Sequence, residues 1–262
     1  MMNFPKISVF ILGISLILLL ILAFSAGQAE EKTYDGIWFL GFNMKNDVFI
    51  GQKGKLLRQA FNYAIDRRYI CTNIVGDKNV PTGVIPPGMP GHNSAITGYS
   101  YYPDMARKLL KSAVSKQINN MVLIHTDGQK TVKVAQEIKK DLASVGIKVS
   151  LRQIIYEDDD SWERELSDGA AQLFLMGYKV PPQPYEKNDP VSRSEKFLRE
   201  LFHSKGEANM FFLHNNELDA LIETTETTQS NEAVLKERLL EKADRILFDN
   251  PVTVNLFYIE EL

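Results

Sequence analysis

The chain has 262 residues, 44% hydrophobic, 10% aromatic and 24% charged, with 16 glycines and 11 prolines dispersed along it. That composition excludes a disordered chain, a collagen-like fibre and a disulfide scaffold, and a formal net charge of −3 argues against a nucleic-acid-binding surface. A single cysteine, Cys71, cannot close an internal disulfide, and four scattered histidines leave little material for a metal site, so no cofactor is expected.

The first element is an address. Ile7 to Phe24 reads ISVFILGISLILLLILAF, preceded by Lys6 and followed by Ser25-Ala26-Gly27-Gln28-Ala29. A basic start, an apolar middle and a small-residue exit form the layout of a secretory signal. The apolar run also reaches the lower limit for spanning a bilayer. Residues 1–29 are therefore read as a signal peptide or membrane anchor. A periplasmic or extracellular location follows, with the body either free or held to the membrane by residues 7–24. No cysteine ends the apolar run, which disfavours a lipoprotein.

The body alternates short β-branched or aromatic runs with amphipathic stretches, which predicts α/β layering. Trp38 to Asn43 reads as a strand. Leu56 to Ile65 carries Leu57, Ala60, Phe61, Ala64 and Ile65 at helical spacing, and Asp66 can cap the turn that begins at Arg67. Pro81 to Pro103 holds five prolines and four glycines and must be a long loop, of the kind that often binds something. Asp104 to Val114 is helical, Met121 to His125 a buried strand, and Thr131 to Ser144 a helix whose stripe runs Val134, Ile138, Leu142. Gly146 stops that helix. Ile147 to Ile154 alternates with period two, which completes a strand, helix, strand unit with a parallel pair. A short helix near Asp160–Ser167 leads to a strand at Gln172 to Tyr178. Helices follow near Ser194–Phe202, Leu218–Thr224 and Glu232–Asp249, and Thr253 to Tyr258 is the final strand. One continuous α/β domain is the economical reading.

Catalytic patterns are missing from the sequence. It contains no GxSxG, HExxH, GxGxxG or GxxxxGK[ST] motif. His92, His125, His203 and His214 lack carboxylates at ligand spacing and read as structural or surface residues. The acidic run Glu157-Asp158-Asp159-Asp160 lacks the glycine and terminal glutamate of an EF-hand loop and suits a helix N-terminus instead. Cys71 reads as an inert, partly buried thiol. An enzyme is not expected.

Two stretches carry a resemblance. Trp38 to Ile70, WFLGFNMKNDVFIGQKGKLLRQAFNYAIDRRYI, and Ala135 to Leu151, AQEIKKDLASVGIKVSL, resemble the dipeptide- and oligopeptide-binding proteins, family 5 of the bacterial extracellular solute-binding proteins. Smaller pieces keep the family's order: Ile85-Pro86-Pro87-Gly88, Tyr102-Pro103-Asp104, Lys242-Ala243-Asp244 and Leu256-Phe257-Tyr258. The resemblance implies a mixed-sheet lobe of a periplasmic-binding-protein type II-like fold. Complete members are about twice this length and close two lobes around a hinge. Residues 35–262 look like the second lobe alone, with the first lobe missing and the chain ending before the family's return to it.

The resemblance also implies a binding site. In the family, the strand matching Leu173 to Tyr178 leads into a Trp-x-x-Asp pattern whose aspartate pairs with the peptide's ammonium group. Here Tyr178 stands at the aromatic position and Pro181 where the aspartate is expected. Asp189, before Pro190, answers to the family's nearby Asp-Pro after an insertion, and Glu186 is the other acidic substitute. Tyr258 belongs to the family's terminal aromatic strand, which contributes to the cleft; packing on the core with a wet hydroxyl is the alternative. Tyr178, Asp189 and Tyr258 are the candidate ligand-binding residues.

The function implied is the extracytoplasmic solute-binding component of an ABC transporter, taking a peptide or similar small solute. Its partners would be an ABC permease or a separate polypeptide supplying the first lobe, with no nucleic acid, and with membrane contact only through the N-terminal segment. One lobe supplies half the contacts, so weak or no binding is expected of the chain alone. The alternative is a non-transport interaction or remnant domain.

Overall fold

The computed structural model describes residues 32–113, 120–155, 159–180 and 191–261, with the side chains of 159 and 160 set aside. The segment 1–29 read as a signal peptide or anchor, most of the acidic run at 157–160, and Pro181, Glu186 and Asp189 lie outside the described residues and side chains. No helix among the described residues is long and apolar enough to cross a membrane.

Tyr34 to Leu262 forms one compact unit. Its described elements are β1 (Tyr34–Phe42), α1 (Gly51–Ala64), α2 (Arg67–Tyr69), a π-helical turn (Ile70–Val75), α3 (Pro103–Ala113), β2 (Met121–His125), α4 (Gln129–Ser144), β3 (Val149–Gln153), α5 (Asp159–Ser167), β4 (Leu173–Lys179), α6 (Ser192–Phe202), α7 (Asn216–Thr227), α8 (Ala233–Asp249) and β5 (Thr253–Glu260). The strands form one mixed sheet in the order β3-β2-β4-β1-β5. β2 runs parallel to β3 and β4, whereas β1 is antiparallel to both β4 and β5.

Strand alternation splits the core in two. Ile37, Phe39 and Phe174 face a cluster built with α5, α6, α7 and α8; Leu40, Phe42 and Leu173 face another built with α1, α3 and α4. Helices on both faces of a mostly apolar sheet make a three-layer α/β unit, as the alternating pattern predicts. The stripe Leu57, Ala60, Phe61, Ala64 and Ile65 is fully buried, and so are Val134, Ile138 and Leu142. Asp66 caps α2 by accepting from the Tyr69 amide at 2.9 Å. Gly146 takes φ of +91°, the left-handed turn that ends α4.

The edges of elements differ from the sequence reading for identifiable reasons. β1 starts at Tyr34 because Tyr34 and Gly36 pair with Glu260 and Ile259, a long-range contact that no local pattern records. α1 starts at Gly51, five residues early, because its first turn (Gly51 to Lys55) carries no apolar residue to extend the stripe.

The proline-rich loop is ordered by buried polar contacts. Arg67 donates to the Pro81 carbonyl at 3.0 Å, the Val84 amide donates to Asp244 at 2.7 Å, and Tyr258 donates to the Gly83 carbonyl at 3.1 Å. Val84, Ile85, Met89 and Ile96 are buried beneath it. The long loop thus covers part of the core.

Candidate functional site

β4 is paired unevenly. On one side it meets β1 along its whole length, from Phe42↔Leu173 to Gly36↔Lys179. On the other, β2 pairs only at Leu123↔Leu173 and Ile124↔Phe174. Beyond Phe174, no described strand covers that edge.

A cavity of about 550 Å³ occupies this place. Its walls are Leu175 to Lys179 of β4, Trp38 of β1, Ile259 of β5, Thr126 after β2, Thr131 of α4, Ile155 after β3, Trp162 of α5, and Ala208 and Met210 beyond α6. Trp38 belongs to one core cluster and Trp162, Met176, Tyr178 and Met210 to the other, so the cavity wraps around the free edge of β4. The position follows from topology. The connection from β2 to β3 carries α4 on one face; that from β3 to β4 carries α5 on the other. Where the connections diverge, a crevice opens beyond the carboxyl ends of the strands, the usual ligand position in open α/β sheets.

The floor is aromatic. Trp38 lies opposite Gly177 in the ladder and stacks on Phe257 with centroids 5.7 Å apart and planes at 19°. A Cβ at Gly177 would come within 2.5 Å of the Trp38 ring, so the missing side chain is what admits the indole. Tyr178 is half-buried, tilted against Phe197 at 5.8 Å, and its hydroxyl has no hydrogen-bond partner among the described residues. At the far end of β4, Lys179 pairs with Asp35 at 2.9 Å. Asp35 is 3% exposed, and its other carboxylate oxygen finds no partner among the described residues.

The sequence-based candidates are therefore separated. Tyr178 lines the cavity. Asp189 lies outside the described residues. Tyr258 is 4% exposed and packs on Tyr34 at 5.5 Å. Its hydroxyl is not wet: it donates to Gly83 O and accepts from the Thr82 amide at 3.3 Å. Burial pushes that hydroxyl well above the usual tyrosine range.

Reading in sequence missed Trp38, Trp162, Thr131 and Gly177 as cavity residues. Trp38 was legible as strand, but only the register with Gly177 shows what its ring faces.

The histidines need one correction. His203, 1% exposed, does have carboxylate partners: its Nε2 lies 3.2 Å from Glu223 and 3.9 Å from Asp219. The Lys205 amide donates to its Nδ1, so Nε2 carries the proton and donates to Glu223. The partners come from α7, sixteen and twenty residues downstream, a distance that ligand-spacing rules do not scan. No group of three or more metal-ligating side chains occurs among the described residues. Cys71 is fully buried, donates to Leu256 O at 3.0 Å, and is pushed up to about 12 by burial; no thiolate forms there near neutral pH.

Comparison with known proteins finds four matches of interest. The model for bacterial extracellular solute-binding proteins, family 5 Middle, matches residues 18–196. Heme-binding protein A of Haemophilus influenzae is 26% identical over 203 residues, covering 74% of this chain and 34% of its own. The dipeptide-binding protein of Escherichia coli is 27% identical over 163 residues, covering 58% and 30%. The chain thus spans about a third of the length of the curated relatives it matches. Among solved structures, the ABC transporter substrate-binding protein CtaP of Listeria monocytogenes superposes with a TM-score of 0.72 at 19% identity, over 87% of this chain and 44% of that one.

Proposed function

Because the chain belongs to family 5 of the bacterial extracellular solute-binding proteins, we propose that it is the solute-binding component of an ABC transporter and that the cavity at the free edge of β4 receives a peptide or similar small solute. The observation that carries this reading is the unpaired run Leu175 to Lys179 beside an aromatic cavity. An open strand edge offers backbone donors and acceptors to an extended chain, and flanking pockets take its side chains. Trp38, Trp162 and Tyr178 provide apolar surface for such a side chain. One curated relative is named for dipeptides and one for heme. Among the described residues no histidine or cysteine lines the cavity, which favours the peptide-like solute.

In this reading the described unit is one jaw of a clamp. A second lobe, in the same polypeptide or a separate one, closes over the ligand, and the closed form is presented to a membrane permease. Closure is driven by the ligand's better affinity for the closed state. Residues 1–29 serve as signal peptide or anchor, placing the lobe outside the cytoplasmic membrane. Asp189 lies in the segment that leaves β4 and is the proposed carboxylate for the ligand's ammonium group.

Calorimetry with a mixed di- to pentapeptide library tests this. The chain alone is expected to bind weakly, and Tyr178→Ala to remove what binding there is. Submicromolar binding by the monomeric chain would overturn the single-jaw reading. Weak binding unaffected at Tyr178 would move the site elsewhere.

A further inference from the structure

The two helical layers differ in charge. Helices α1 to α4 hold twelve Lys and Arg against three Asp and Glu, whereas α5 to α8 hold eight against fourteen. A chain of formal charge −3 therefore carries one basic side. Such an asymmetry sets up a field that draws an anionic partner to that side.

The acids on this side are already engaged. Asp104 pairs with Arg107 at 2.6 Å and Glu137 with Lys140 at 2.7 Å. Asp66 accepts from the Tyr69 amide and Asp141 from the Asp66 amide, both at 2.9 Å. Arg68, Lys108, Lys111 and Lys133 are exposed and have no carboxylate partner among the described residues.

Exposed aromatic rings lie among these cations. Tyr69, Tyr101 and Tyr102 are 43%, 45% and 51% exposed. The Lys140 Nζ sits 5.4 Å from the centre of the Tyr69 ring, and Tyr101 is within electrostatic reach of Lys140 and Arg107. The Asp66 to Asp141 bond ties α2 to α4, and Arg107 ties α3 to α4 by donating to the Ser144 carbonyl at 3.1 Å. Lys133 and Lys140, seven residues apart, share one stripe of α4. Tyrosines set among Lys and Arg suit a surface that meets lipid headgroups, with the amphipathic rings at the boundary and the cations among the phosphates. An acidic protein would satisfy the charge but gives three separate rings no common apolar layer to enter.

We propose that the side built by α2, α3 and α4 rests on an anionic bilayer surface, with Tyr69, Tyr101 and Tyr102 at the headgroup boundary and Arg68, Lys108 and Lys133 over lipid phosphates. This is a membrane contact beyond the N-terminal segment, and it stands whatever solute the cavity takes.

Lysine acetylation read by mass spectrometry tests it on the full chain, reconstituted into vesicles of phosphatidylcholine alone or mixed with phosphatidylglycerol. The apolar segment 7–24 is expected to hold the chain on both, so a difference belongs to the headgroups. With phosphatidylglycerol, Lys108, Lys111 and Lys133 are expected to react about fivefold more slowly, the order expected of a cation drawn to an anionic surface. Lys205 and Lys242, exposed on the other side, should not change. The protection should vanish at about 1 M salt, where the Debye length is about 3 Å. Replacing Tyr69, Tyr101 and Tyr102 together by serine should weaken it about twofold, with circular dichroism confirming the fold. Equal reactivity on the two kinds of vesicle would overturn the proposal. Equal protection by soluble poly-L-glutamate, or protection indifferent to the three tyrosines, would overturn the lipid assignment and make an acidic protein the occupant.

Discussion

Tyr178 and Tyr258 flank the same residue. Both pair with Ile37, one from β4 and one from β5, and both project to the same face of the sheet. Their surroundings differ completely. Beside β5 the proline-rich loop folds over, and Tyr258, Asp244 and Arg67 bind its backbone at Gly83, Thr82, Val84 and Pro81. Beside β4 no described strand follows β2 past Phe174, and the Tyr178 and Thr131 hydroxyls have no partner among the described residues. Polar groups engaged within the chain hold a fold together; polar groups presented to a cavity are available to a ligand. Position in the ladder does not separate the two. What covers the neighbouring edge does.

The contrast can be broken first by truncation. Tyr258→Ala should cost about 3–5 kcal/mol, from the cavity left in the core and the unpaired Gly83 carbonyl. Tyr178→Ala should cost about 1 kcal/mol, as a half-exposed side chain does. Urea unfolding of both variants measures the difference, and equal losses would contradict the distinction.

The next effect is a pH dependence in which the covered side takes part through Asp244. Burial outweighs the hydrogen bond from the Val84 amide and raises the Asp244 carboxyl from 3.8 to about 6. The folded chain therefore holds this proton more tightly than the unfolded one. The associated stability is complete below about pH 4 and is lost as pH rises through about 6, in all about 2–3 kcal/mol. Asp141, which accepts from the Asp66 amide, is raised in the same direction, to about 6. Asp244→Asn should remove the Asp244 share, so that the difference between variant and parent grows in the variant's favour from pH 4 to pH 7. A constant difference across that range would show that Asp244 does not titrate in this way.

The smallest expected effect sharpens the comparison most. Tyr258→Phe deletes only the hydroxyl and should cost about 1–2 kcal/mol, because a buried carbonyl loses its donor. Tyr178→Phe should stay within about 0.5 kcal/mol.

Much of the fold was legible in sequence. The buried stripes of α1 and α4, the Asp66 cap, the Gly146 stop and the strand, helix, strand unit all express local periodicity. The family resemblance adds the order of the pieces, and the sheet has the expected mixed character. The site was less legible for a physical reason. Trp38 faces Gly177 through the β1–β4 register, and the cavity beside them opens because β2 ends at His125, next to the start of β4, while β4 continues to Lys179, a stagger between strands far apart in sequence. His203 shows the same limit, since its partners Asp219 and Glu223 arrive through helix packing. Tyr258 looked like Tyr178 in sequence, because nothing local announces that the proline-rich loop will cover one and not the other.

Amide hydrogen exchange with and without a tripeptide bearing a central aromatic residue tests the account most directly. The account predicts that outward-facing amides of Leu175 to Lys179 exchange freely in the chain alone and gain protection with peptide, while Thr82 to Ile85 and the β5 amides around Tyr258 are protected from the start and do not change. Protection gained around Thr82 to Ile85 and Tyr258, with none along Leu175 to Lys179, would contradict it.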